Sequence, residues 1–196
     1  MKAGKIALVG WMMVAVGLST TLAQTTETKP HRWTVYGGIG PNYYFNNLET
    51  ASQHVTEVNY SFVTRIMWEP EHFLSLGFET GYNRLYSLSG DGPVIGKSSI
   101  VNVAVPLQVV VSMKFFDDFY ANFNLGQAIL LNRVTTQNNG DFHATVLSLG
   151  DFAATIGYRK DISPRFRLGT ELKAYYSSKL NDKNLSLLFM AGYRLW

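Results

Sequence analysis

The chain has 196 residues, 46% of them hydrophobic, with 17 Lys+Arg against 14 Asp+Glu and a formal net charge of +3. That length fits one domain, and no linker or shift of composition divides it. The absence of cysteine excludes disulfides, thiol catalysis and a lipid-modified amino terminus. No polybasic run is present, so the slight basic excess does not point to nucleic acid.

Lys2 and Lys5 precede an apolar run from Ile6 to Leu18, and Ser19-Thr20-Thr21-Leu22-Ala23 supplies small residues for cleavage. This is the pattern of a signal peptide over 1–23, cut after Ala23. The alternative is an uncleaved membrane anchor, since Ile6 to Ala23, about 18 residues, is close to the lower limit for a spanning helix. Residues 24–32 are polar and read as a short periplasmic tail, which leaves a domain over 33–196.

From there the hydropathy alternates with the two-residue period of strands in eight segments. They are Trp33–Phe45, Glu57–Glu69, Phe73–Ser87, Ser99–Lys114, Phe119–Leu131, Val146–Arg159, Arg165–Ser177 and Asn184–Trp196. All are longer than the usual strand of a soluble protein and long enough to cross a bilayer when tilted. Their connections alternate. Glu69-Pro70-Glu71-His72, Phe115–Asp118 and Lys160–Pro164 are short, whereas Asn46–Thr56, Leu88–Ser98, Asn132–Thr145 and Ser178–Lys183 are longer and polar. Short periplasmic turns and long outer loops are the arrangement of membrane barrels, and both termini then lie in the periplasm.

The apolar faces read Val58, Tyr60, Phe62, Ile66 and Trp68 on the second strand, Leu74, Leu76, Phe78 and Tyr82 on the third, and Val101 through Met113 at every other position on the fourth. The last strand places Leu185, Leu187, Phe189, Ala191, Tyr193 and Leu195 together. With these faces turned to lipid, the opposite faces collect the charges inside, where they can pair. Arg65, Glu79, Asp151, Arg167, Glu171, Lys173 and Arg194 form the expected interior network. Counting back from the Arg159–Arg165 turn pairs Asp151 with Lys173. Aromatic side chains mark the membrane boundary: Trp33, Trp68, Phe73, Phe119, Tyr158, Phe166, Tyr193 and Trp196 at the turn ends, and Tyr43, Tyr60, Tyr82 and Tyr176 at the loop ends.

The expected fold is therefore all-β, an eight-stranded antiparallel up-and-down transmembrane barrel behind a signal peptide. A soluble sandwich or lipocalin-like barrel alternates too, but it would turn these apolar faces inward and leave Arg167, Glu171 and Lys173 in water. A bore of eight strands is filled by side chains, so the interior charges read as structure before they read as an ion path along Glu79, Glu171, Arg167 and Arg194. Catalysis has poor candidates, namely His143 near Asp141 and Thr145, and His54 near Ser52. His31 and His72 stand alone. No catalytic, cofactor-binding or metal-binding residue is assigned, because four scattered histidines and no cysteine offer no ligand spacing.

The stretch Val103-Ala104-Val105-Pro106-Leu107-Gln108-Val109-Val110-Val111-Ser112-Met113-Lys114-Phe115 resembles a strand of the PorT-like outer-membrane barrels of Bacteroidetes. Ala121–Gly126, Ala154–Arg159 and the closing Gly192-Tyr193-Arg194-Leu195-Trp196 resemble later strands of that family. The resemblance implies an integral outer-membrane protein, inserted by the outer-membrane assembly machinery and surrounded by lipid that includes lipopolysaccharide. It implies a non-enzymatic structural or interaction role at the cell surface, accessory to secretion or surface assembly, with a surface or periplasmic protein as partner. The alternatives are a lipid A-modifying barrel enzyme and a conductor of small ligands or ions. One departure stands at the end: Trp196 is out of phase with Tyr193 and Leu195, so either Leu195 takes the terminal role or a bulge intervenes.

Overall fold

A computed structural model describes residues 32–45, 54–70, 73–92, 96–116, 118–136 and 140–195. The leader expected over 1–23 and the tail expected over 24–32 lie outside the described residues except for Arg32, which begins a strand rather than ending the tail, and His31, Ser52, His72 and Trp196 lie outside them too. Nine strands are present: β1 (Arg32–Tyr44), β2 (His54–Thr56), β3 (Val58–Glu69), β4 (Leu74–Gly92), β5 (Gly96–Phe115), β6 (Phe119–Thr136), β7 (Gly140–Asp161), β8 (Phe166–Ser177) and β9 (Asp182–Arg194). Short β2 pairs with β4 just beyond β3, so the two make one stave interrupted at Glu57. The result is a closed antiparallel barrel of eight staves, in which each stave pairs with its sequence neighbours and β1 pairs with β9 to complete the ring.

Alternation makes these strands, and closure fixes their tilt. Following hydrogen-bonded partners around from Val35 through Ile66, Phe78, Val109, Leu125, Phe152, Tyr176 and Lys183 returns to β1 at Phe45, ten residues beyond the start. With ordinary strand spacing, that stagger corresponds to a tilt of about 40° from the barrel axis. Two bulges interrupt the ladders. One adds a residue to β4 between Arg84 and Tyr86, and the other adds Gly150 to β7, where φ is +79° and a glycine is the natural occupant.

The faces sort by polarity in the sense the alternation predicts. Ile39, Phe62, Phe78, Val109, Leu125, Ile156, Leu172 and Phe189 point away from the bore and are exposed, Phe78 to 65%. A soluble barrel would hide such a band. Inside lie two apolar clusters. Tyr36, Val63, Met67, Val110, Leu188 and Met190 pack toward the turn end, and Tyr44, Leu85, Ala104, Ala128, Leu130, Ala153 and Tyr175 toward the loop end.

Several boundaries differ from the sequence reading. Segments 88–98 and 132–145, expected as loops, are largely ladder: Leu88 pairs with Ile100 and Asp91 with Lys97, while Arg133 pairs with His143 and Thr135 with Asp141. Polar residues read as loop in sequence because turns and water-facing strands share composition, yet a two-stranded extension satisfies its backbone all the same. At the β7–β8 connection the strand runs on to Asp161, which pairs with Arg167, and Arg165 belongs to the turn rather than to the inward face.

Candidate functional site

The ordered chemistry of this barrel sits in its bore, in three groups. Midway along, Arg65 on β3 donates to Glu79 on β4, Nε–Oε2 2.8 Å and Nη2–Oε2 2.5 Å, and forks onto Glu171 on β8 at 2.8 and 3.0 Å. Lys173 reaches Glu79 across the bore, Asn124 donates to the same carboxylate at 2.7 Å, and Tyr120 donates to Glu171 at 2.5 Å. Two cations and two anions, all buried, thereby satisfy one another. The planar fork of arginine suits this double bridge.

Nearer the turns, Glu69 accepts from Tyr36 (2.6 Å), Thr34 (3.1 Å) and Arg167 (2.6 Å), and pairs with Arg159 at 3.1 Å. Tyr36 accepts in turn from both arginines. Asp161 bridges Arg167 and Arg194, each at 2.6 Å. Partial burial opposes ionisation of Asp161, but hydrogen bonds from Arg194 and Arg167 outweigh it and hold the carboxyl below its ordinary range.

The third group contradicts the Asp151–Lys173 pairing. Lys173 lies opposite Thr155, because the turn closes at Asp161–Arg167 and moves the register by four residues. Asp151 instead accepts from Ser148 (2.5 Å), Tyr175 (2.6 Å) and the Ser178 backbone N–H (2.9 Å), and so fastens the bulge of β7 to the β8–β9 turn. Of the expected network, Arg65, Glu79, Glu171 and Lys173 thus form one cluster, and Arg167 and Arg194 share Asp161. Asp151 stands apart. Glu69 and Arg159 complete the second cluster, and the outward Tyr158 of the sequence pattern already implied that Arg159 faces inward.

Two glycines make room for this interior. A methyl on Gly157 would collide with the Tyr120 ring, and one on Gly192 with the Tyr36 ring. Each tyrosine lies flat across its cross-strand glycine, which aims its hydroxyl at Glu171 or Glu69.

Around the outside at the turn end, Trp33 pairs with Trp68, and the rings of Phe119 and Tyr158 and of Phe166 and Tyr193 meet edge-on at 5.2 Å. Phe73 is exposed nearby. At the loop end Tyr60 stacks on Tyr82 at 5.8 Å. His143, Asp141 and Thr145 all lie on exposed β7, with no hydrogen bond among them to make a catalytic set. Among the described residues no group of three or more His, Asp or Glu side chains could hold a metal.

A closed barrel with an apolar exterior and an ion-paired bore is the architecture of the small outer-membrane barrels. Among solved structures, Ail, the attachment invasion locus protein of Yersinia pestis, in complex with the heparin analogue sucrose octasulfate, matches with a TM-score of 0.55 at 10% identity, over 85% of this chain and 100% of that one. A second crystal structure of Ail gives 0.54 over the same shares at the same identity. Neisserial surface protein A gives 0.48 at 12% identity, over 82% of this chain and 96% of its own. The likeness is one of fold. No protein-family model matches the chain, and no curated protein matches it.

Proposed function

We propose that this chain is a non-enzymatic integral outer-membrane barrel with a structural or interaction role at the cell surface. The single observation that carries the reading is the division of faces: a band of exposed Leu, Ile, Val and Phe outside, and buried ion-paired clusters inside. Such a molecule is stable only where hydrocarbon meets its exterior. The ion-paired clusters and the two apolar clusters fill the bore, which favours a rigid platform over a conductor.

On this reading the chain is exported behind the leader 1–23, and both termini face the periplasm. The ladders of β4–β5 and β6–β7 extend past the tyrosines at the loop end and present the surface for a partner. The finer assignment, service to secretion or surface assembly in the manner of PorT-like barrels, is supported by the strand motif from Val103 to Phe115. Expression of the full precursor in a Gram-negative host tests the core of the proposal. Heat-modifiable gel mobility of outer-membrane fractions, with Trp33 and Trp68 quenched by bromine-labelled lipid, is the expected result. A soluble periplasmic product with unquenched tryptophans would reverse every inside–outside assignment.

A further inference from the structure

An outward-facing cleft of about 450 Å³ lies beside the loop-end tyrosines, lined by Tyr82, Arg84, Val103, Leu131, Arg133 and His143. The register assembles it. Arg84 on β4 lies opposite Val103 on β5, Val103 lies opposite Leu131 on β6, and Arg133, one outward position further along β6, lies opposite both Val101 and His143. Alternation puts Val103 on the exterior, yet it is only 5% exposed, so it forms the floor of the cleft between the two arginine-bearing strands.

The cations here differ in kind from those of the bore. Among the described residues neither Arg84 nor Arg133 has an ion-pair partner, and the Arg84 Nε is buried without a hydrogen bond. Tyr82, Arg84 and Arg133 all line this one cleft. Arg84 follows Tyr82 by one outward position, which places the pair at the level where an aromatic ring marks the passage from hydrocarbon to headgroups. Two unpaired arginines over an apolar floor, at that level, match a ligand with phosphate above and acyl chain below.

We propose that this cleft binds the phosphorylated headgroup of an outer-leaflet glycolipid of the lipid A type, with Arg84 and Arg133 on the phosphate and Val101, Val103 and Leu131 against the sugar-proximal acyl chains. The proposal rests on the lipid-facing reading above and adds a specific lipid site to it. Native mass spectrometry of the purified full-length barrel tests it, with diphosphoryl lipid A, enzymatically dephosphorylated lipid A and phosphatidylglycerol as probes.

The wild-type barrel should retain diphosphoryl lipid A at least about tenfold better than the dephosphorylated form, the loss expected on removing charge-assisted hydrogen bonds. Substitution by R84Q and R133Q together should remove that preference, and R84K with R133K should restore part of it. Equal retention of the two lipid A forms by wild type overturns the proposal without recourse to any variant. Phosphatidylglycerol held as well as lipid A overturns it too, since any anionic headgroup would then suffice. Failure of the wild-type chain to enter bilayers at all would sink the lipid-facing reading instead, and gel mobility reports that separately.

Discussion

Glu79 is the hub of the mid-bore cluster, because Arg65, Lys173 and Asn124 all converge on it. Its carboxylate is buried, so removing its charge leaves Lys173 without its anion and Arg65 with Glu171 alone, in a medium that solvates charge poorly. Glu79→Gln should therefore destabilise the barrel by about 3–5 kcal/mol. Replacing Glu79 and Lys173 together by Met leaves Arg65 with Glu171, and the double change should cost less than the sum of the two singles, measured by urea unfolding in vesicles. Strict additivity would show that the pair is not coupled. At this scale the sequence disclosed which side chains face inward but not whom they meet. Alternation identified Arg65, Glu79, Glu171 and Lys173, since the adjacent Ile66, Phe78 and Leu172 belong to the apolar face and turn each of them to the other one. The partner of Lys173 sits across the bore, however, and a cross-bore contact depends on the turn length and on the stagger of the whole ring. Neither is encoded locally around Lys173.

Among the elements, the hairpins β4–β5 and β6–β7 behave differently from the staves below them. Leu88, Ser89 and Gly90 continue the ladder of β4, and Val134 and Thr135 that of β6, without entering either apolar cluster or any of the three charged groups. Replacing residues 134–142 by a two-residue turn should leave the unfolding free energy within about 1 kcal/mol of wild type, as expected where no buried contact is lost. The same truncation should abolish binding of any protein partner that co-purifies with the intact chain. A large loss of stability would instead make this hairpin part of the barrel's support. These extensions escaped the sequence because Asn, Gly, Ser and Thr carry no facial alternation when both faces meet water. The closing stave β9 was legible over Asn184–Arg194, with Leu185, Leu187, Phe189, Ala191 and Tyr193 on one face, while Asp182 and Lys183, read as loop, already belong to the strand.

For the whole molecule, the filled bore sets the expected transport behaviour. In a planar bilayer the reconstituted chain should give no discrete conductance steps, because the Arg65–Glu171 bridge and the Tyr44 and Tyr175 cluster lie across the lumen at successive depths. Regular steps of constant size would mean that these side chains move aside. The ten-residue return of the ladder has a further consequence. It acts as a winding number: side chains have a period of two, so only an even value lets an inward residue remain inward after one full circuit. The extra residue on β4 and Gly150 on β7 shift their ladders in opposite senses around the circuit, and their effects cancel. Insertions and deletions within the staves are thus constrained to compensating pairs, while a hairpin tip can change length without altering the winding.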